Sequence, residues 1–195
     1  MLYLLLLPLV DQFTPLNLIR YLTFRAGAAL VTALFIAFVL GPPVIRWLKS
    51  KQGKGQPIRS DGPESHLLTK KGTPTMGGLL ILIAMFFSTL LWADLTNAYV
   101  WAVMLVTGGF GLVGVADDYM KLVRRSSGGL PGRIKLAATV LFAVMAAAII
   151  VLYTREPLAT SLAIPFFKSL LLPMGWLIVP FAVLVMVGSS DRKST

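Results

Sequence analysis

The chain has 195 residues, of which 56% are hydrophobic and 13% are charged, and its formal net charge is +10. A soluble domain usually has about a quarter of its residues charged, so the composition excludes an ordinary soluble domain and indicates a multi-pass membrane protein. The basic residues lie in loops between apolar runs, which favours a positive-inside orientation over a nucleic-acid partner. The sequence has no cysteine, which excludes disulfides and thiolate metal sites.

Five apolar segments are predicted to cross the membrane as helices, which gives an all-α, multi-pass fold. Residues 1–10 are apolar but too short to span a bilayer, and residues 189–195 form a polar tail. The loops after the first and third spans are basic, so both are predicted to be cytoplasmic, and the N-terminus is then periplasmic. The predicted spans are residues 21–47, 75–93, 98–118, 136–153 and 174–188.

Two adjacent carboxylates, Asp117 and Asp118, stand at the predicted end of the third span. The C-terminal end of a helix carries partial negative charge and prefers cations. Neighbouring carboxylates also disfavour each other's ionisation. The pair is therefore a candidate functional site, and solvated capping of a transmembrane helix is the structural alternative.

The same predicted orientation places Lys70, Lys121 and Lys135 at the cytosolic membrane boundary. These lysines are therefore predicted to lie near the acid pair. Phosphoryl transfer requires positive charge around the phosphates, usually a divalent cation, and a group that positions or deprotonates the nucleophile. Asp117 and Asp118 are suited to hold Mg²⁺ or to act as the base. Lys121, four residues after Asp117, is equally well explained as an ordinary helical ion pair.

The second span opens with Thr-Pro-Thr-Met-Gly-Gly at residues 73–78. A hydroxyl at the cap and a proline in the first turn are ordinary helix-start signals, so helix initiation alone explains most of the motif. The paired glycines permit close approach of a neighbour, and a helix N-terminus suits an anion. This pattern predicts Lys70 and Thr75 near a diphosphate.

Four strings, taken together, resemble one enzyme family. They are Tyr-Leu-Thr-Phe-Arg at 21–25, Asp-Gly-Pro-Glu-Ser-His at 61–66, Lys-Gly-Thr-Pro-Thr-Met-Gly-Gly at 71–78, and Asp-Asp-Tyr at 117–119 with Lys121. The chain is similar to the phospho-N-acetylmuramoyl-pentapeptide transferases, a branch of the polyprenyl-phosphate N-acetylhexosamine-1-phosphate transferase superfamily.

The resemblance implies a Mg²⁺-dependent enzyme of the bacterial cytoplasmic (inner) membrane that works in peptidoglycan synthesis, and so in cell-wall biogenesis, cell shape and cell division. Such enzymes move phospho-MurNAc-pentapeptide from UDP-MurNAc-pentapeptide to undecaprenyl phosphate, which gives lipid I and UMP, and they are expected to be homodimers. Direct attack and an aspartyl-phosphate intermediate both remain open. By matched position, the catalytic residues are Asp117 and Asp118, with Asp117 as base or positioner, and the substrate-binding residues are Lys70, Thr75, Lys121 and Lys135.

The chain also departs from the family pattern. Family members have about ten spans, and an acid that follows the fifth span is usually the Mg²⁺ ligand. Here the residues after Gly188 read Ser-Ser-Asp-Arg-Lys-Ser-Thr. The chain is therefore expected to be an N-terminal half with a divergent tail, without the main metal ligand and with little or no activity alone. The alternative is a non-catalytic membrane protein that binds anionic lipid or a partner through its basic cytosolic loops.

Overall fold

The computed structural model of the chain describes residues 1–10, 13–52, 77–124, 129–154, 160–163 and 171–190. Most of these residues are helical, which confirms the predicted all-α class. Three helices are long and apolar enough to cross a membrane, Leu22–Ser50, Ala98–Arg124 and Gly132–Tyr153, and two shorter helical stretches are also apolar. The chain is therefore a multi-pass membrane protein, whereas its orientation stays a prediction.

A helix stands at each of the five predicted spans. The helix at the third predicted span continues to Arg124, whereas the predicted span ends at the acid pair. The helix at the second span is described only from Gly77. Among the described residues the α-helices are α1 (Leu2–Leu6), α2 (Leu22–Gln52), α3 (Gly77–Trp92), α4 (Ala98–Arg124), α5 (Gly132–Tyr153) and α6 (Ile178–Ser190).

The surface of α2 is built for lipid rather than for water. Leu30, Phe35 and Phe38 are each more than 60% exposed, and an apolar side chain in that position gains its burial from acyl chains. The helix contains Pro42 and Pro43. Proline removes a backbone donor from the helical ladder, and neighbouring helices help membrane proteins to tolerate it.

The contacts divide the chain into two compact units. The first unit comprises Met1–Leu95 and Gly111–Pro131. Within it α2 packs against α3, and the Trp92 indole N–H donates a hydrogen bond of 3.0 Å to the Thr32 hydroxyl oxygen. This bond joins the end of α3 to the middle of α2.

The second unit comprises Thr96–Phe110 and Gly132–Thr195, and its centre lies where α5 packs against α6. The Phe142 ring on α5 lies against Gly109 of α4. Small residues permit such close approach between membrane helices. The buried residues of α5 recur at the spacing of a single helix face, and they are Thr139, Ala143, Ala146 and Ala147.

A short β-hairpin in the second unit was not predicted. Strand β1 (Ser161–Ala163) pairs antiparallel with β2 (Leu171–Pro173), and Leu162 lies opposite Leu172. Strands of three residues are too short to show the alternation by which a strand is recognised in a sequence. The hairpin does not change the fold class, since helices form the bulk of the described chain.

Candidate active site

The acid pair lies within α4, in the first unit. The side chain of Asp117 is 18% exposed and that of Asp118 is 33% exposed. Because α4 continues to Arg124, the acids do not cap its negative end, and Lys121 and Arg124 occupy the last turn instead. Cations in the last turn interact favourably with the helix dipole. The two acids therefore cost less electrostatic energy than they would at the C-terminal end of the helix, where the sequence had placed them.

Lys121 holds the two carboxylates from the next turn of the same helix. Its Nζ lies 2.5 Å from Asp117 Oδ2 and 3.7 Å from Asp118 Oδ1. Spacings of three and four residues bring side chains together on a helix surface, so this contact follows from the sequence. The side chain of Lys121 is 24% exposed. The resulting cluster of two acids and one base is open enough for a ligand to reach it.

A second donor reaches Asp117 from the turn before α5. The backbone N–H of Leu130 donates a hydrogen bond of 2.8 Å to Asp117 Oδ1. Asp117 therefore receives an N–H donor at one carboxylate oxygen and an ammonium group at the other. Hydrogen bonds to a charged carboxylate are stronger than neutral ones, so this arrangement restricts the orientation of the Asp117 side chain.

Gly129 makes room for this approach. It is buried, and a β-carbon at this position would lie 2.8 Å from Asp117 Cγ and 2.8 Å from Lys121 Cε. Gly129 and Leu130 were not among the predicted site residues. A backbone N–H has no residue signature, and the only available signal was the glycine-rich string of residues 128–132.

Of the six predicted site residues, the structure brings together Asp117, Asp118 and Lys121. Lys70 and Thr75 lie outside the described residues. Lys135 belongs to the second unit, near the start of α5, where its carbonyl oxygen accepts a 3.1 Å hydrogen bond from the Thr139 hydroxyl. The roles of these three residues around a diphosphate stay predictions.

The donor set of the acid pair suits Mg²⁺ as the protein's share of a site. Mg²⁺ prefers oxygen ligands and commonly takes one or two carboxylates together with substrate phosphates. Within the described ranges, no group of three acidic or histidine side chains is present. Asp117 and Asp118 are the described residues that would hold the ion, and the Lys121 ammonium group already contacts both carboxylates.

Comparison with known proteins identifies relatives of this chain. Residues 70–82 match the model of phospho-N-acetylmuramoyl-pentapeptide-transferase signature 1. A phospho-N-acetylmuramoyl-pentapeptide-transferase of Granulibacter bethesdensis is 58% identical over 191 residues, which are 98% of this chain and 53% of that protein. One of Maricaulis maris is 52% identical over 196 residues, with coverage of 98% and 53%. The chain thus spans about half the length of these curated relatives, and it belongs to the phospho-N-acetylmuramoyl-pentapeptide transferase family.

Proposed function

We propose that this chain carries part of the active site of a transferase that moves phospho-MurNAc-pentapeptide from UDP-MurNAc-pentapeptide to undecaprenyl phosphate, with lipid I and UMP as products. The observation that carries the proposal is the oriented Asp117 carboxylate, with the Leu130 N–H at Oδ1 and the Lys121 ammonium at Oδ2. The names of the relatives support the same activity.

The reaction exchanges one P–O bond for another. A phosphate oxygen of the lipid forms a bond to the phosphorus that carries the sugar, and the bond from that phosphorus to the bridging oxygen breaks. The electron pair leaves with UMP. In the direct route, Asp117 accepts or positions the proton of the lipid phosphate, and Lys121 offsets the negative charge of the phosphates.

Mg²⁺ is the cofactor of the proposed reaction, with Asp117 and Asp118 as its ligands on this chain. When bound, it neutralises charge on the transferring phosphate. We expect chelation of Mg²⁺ to stop UMP release and re-addition of Mg²⁺ to restore it. The proposed location is the bacterial cytoplasmic membrane, with both substrates at the cytosolic face, and the proposed assembly of the whole enzyme is a homodimer.

The decisive experiment measures UMP release in the presence of Mg²⁺ and both substrates. The chain is tested alone and together with a separately expressed segment that covers the rest of the Granulibacter relative. We expect activity on mixing and a loss of about 10²- to 10⁴-fold in Asp117→Asn, the range for a lost acid–base group. Asp94→Asn, in the loop between α3 and α4, makes the same chemical change elsewhere and should retain the rate. A mixture whose rate is equal for Asp117→Asn and the parent chain would refute the role of Asp117.

Binding of anionic lipid is a second candidate function, favoured by the C-terminal end of α2, which is predicted to be cytosolic. Arg46 and Lys49 are exposed there, and Trp47 between them is 56% exposed. Basic residues beside an interfacial aromatic residue attract anionic headgroups. Flotation with vesicles of phosphatidylglycerol tests this function. Binding that is equal for Asp117→Asn and is lost in the double variant of Arg46 and Lys49, without any UMP release, would favour the lipid binder over the transferase.

A further inference from the structure

We propose that Gly129 and the backbone amide of Leu130 are positioning residues that fix the orientation of the Asp117 carboxylate for the transfer reaction. The proposal rests on the proposed function, because it assigns a role to two residues that act through Asp117. It concerns the turn at residues 129–131, which directly precedes α5.

The contact within α4 is not sufficient to hold Asp117 in one orientation. An ion pair at i,i+4 on a helix surface is weak, and Lys121 divides its charge between Asp117 and Asp118. The hydrogen bond from Leu130 comes from outside the helix and reaches the other oxygen of the carboxylate. Two donors at two oxygens define the plane of the carboxylate, which one donor does not.

The absence of a side chain at residue 129 is what allows this second donor to approach. A β-carbon at residue 129 would lie closer than van der Waals contact to three atoms, which are Asp117 Cγ, Asp117 Oδ1 and Lys121 Cε. These three atoms belong to side chains and not to the backbone of α4. A larger side chain at residue 129 would therefore displace the Asp117 carboxylate, and the backbone can stay in place.

This geometry predicts that replacement of Gly129 affects the stability of the fold and the rate of the reaction to different extents. Replacement of Gly129 should change the stability of the fold little, because the atoms that must move are side-chain atoms and the backbone of α4 is not among them. It should change the reaction strongly, because a misplacement of about 1 Å at a reacting group can cost about 100-fold in rate. A residue that only supports the turn would show the opposite relation.

The test compares Gly129→Ala with Gly132→Ala, whose β-carbon would meet no atom within 4 Å. In the mixed-half assay we expect Gly129→Ala to lower kcat by roughly 10- to 100-fold with KM for both substrates nearly unchanged. Gly132→Ala should retain the parent rate. In an Asp117→Asn background, Gly129→Ala should have no further effect, because residues that act through one group are not additive.

A readout that does not depend on activity uses this chain alone in nanodiscs with aspartate labelled with ¹³C at the carboxyl carbon. Asp117→Asn assigns the resonance of Asp117. We expect Gly129→Ala to shift that resonance and Gly132→Ala to leave it in place. An unmoved resonance in Gly129→Ala, or a loss of rate that is equally large in the Asp117→Asn background, would overturn the inference.

A second variant covers the case in which Gly129→Ala does not fold. An ester in place of the peptide bond between Gly129 and Leu130 removes the N–H donor without added volume, and we expect it to lower kcat and shift the Asp117 resonance. The two proposals fail in different ways. Absence of UMP release from the mixed halves refutes the proposed function, and an unaltered rate in Asp117→Asn refutes the role of Asp117. A reduced rate in Asp117→Asn with parent behaviour in Gly129→Ala and in the ester refutes only the positioning role.

Discussion

Replacement of Lys121 by methionine should reduce activity far more than stability. The substitution keeps an unbranched side chain of similar length and removes the ammonium group that lies 2.5 Å from Asp117 and 3.7 Å from Asp118. The two carboxylates then lose the cation they share on α4. Because methionine is also a good helix former, the helix itself should be unaffected.

The magnitudes follow from the exposure of the three groups. Their side chains are 24%, 18% and 33% exposed, so water screens the attraction and both partners lose conformational freedom in the pair. Pairs of this kind contribute about 0.3–0.5 kcal/mol, and the second contact is long. We expect the free energy of unfolding to fall by less than about 1 kcal/mol. The transition state for phosphoryl transfer loses a fixed positive charge, for which about 3–4 kcal/mol, or 10²- to 10³-fold in kcat, is typical.

The assay pairs UMP release with thermal unfolding followed by circular dichroism on the same preparations. Lys49→Met removes an exposed positive charge at the end of α2 and serves as the control, which should retain rate and stability. Lys121→Arg keeps the charge in a planar group and should recover part of the rate. A Lys121→Met protein with the parent rate, or with a loss of stability as large as its loss of transition-state stabilisation, would refute the reasoning.

Two further predictions test the packing of the helices within each unit. Gly109→Ala would place a β-carbon within 2.6 Å of the Phe142 ring, and overpacking of this kind costs about 1–3 kcal/mol. Gly114→Ala on the same helix is the control, because its β-carbon meets nothing within 4 Å, and it should unfold like the parent. Equal melting temperatures of the two variants would contradict the prediction. Trp92→Phe removes the donor to the Thr32 hydroxyl and should destabilise the first unit by about 0.6 kcal/mol, the mean for hydrogen bonds between membrane helices, as measured by denaturation in mixed micelles.

The sequence was sufficient for the parts of the site that are local. Hydropathy located the helices, and the i,i+4 spacing of Asp117 and Lys121 predicted the ion pair between them. The longer contact of Lys121 with Asp118 was not predicted. Hydropathy did not locate the end of α4, because charge marks where a lipid-compatible segment stops and not where backbone hydrogen bonding stops. The helix therefore continues through residues that the prediction placed beyond it, as far as Arg124.

The remaining features depend on contacts between residues that are distant along the chain or on backbone atoms. The Leu130 N–H reaches Asp117 across 13 residues, and every non-proline residue offers the same donor. Tryptophan is common at membrane interfaces, yet the indole N–H of Trp92 donates a hydrogen bond to Thr32, 60 residues away. No local pattern in the sequence distinguishes a tryptophan that makes such a bond from one that faces a headgroup.

The charges of the described cluster set a requirement for the reaction. Asp117, Asp118 and Lys121 together carry a formal charge of −1, from two acids and one base, whereas both proposed substrates bring phosphate groups that are themselves negative. Two anions do not approach such a site without further cations. A Mg²⁺ ion held by the acid pair would reverse the sign of the cluster's formal charge. The transferase proposal therefore requires cations beyond the cluster, and Lys70 and Lys135 are the residues predicted from the sequence to supply them.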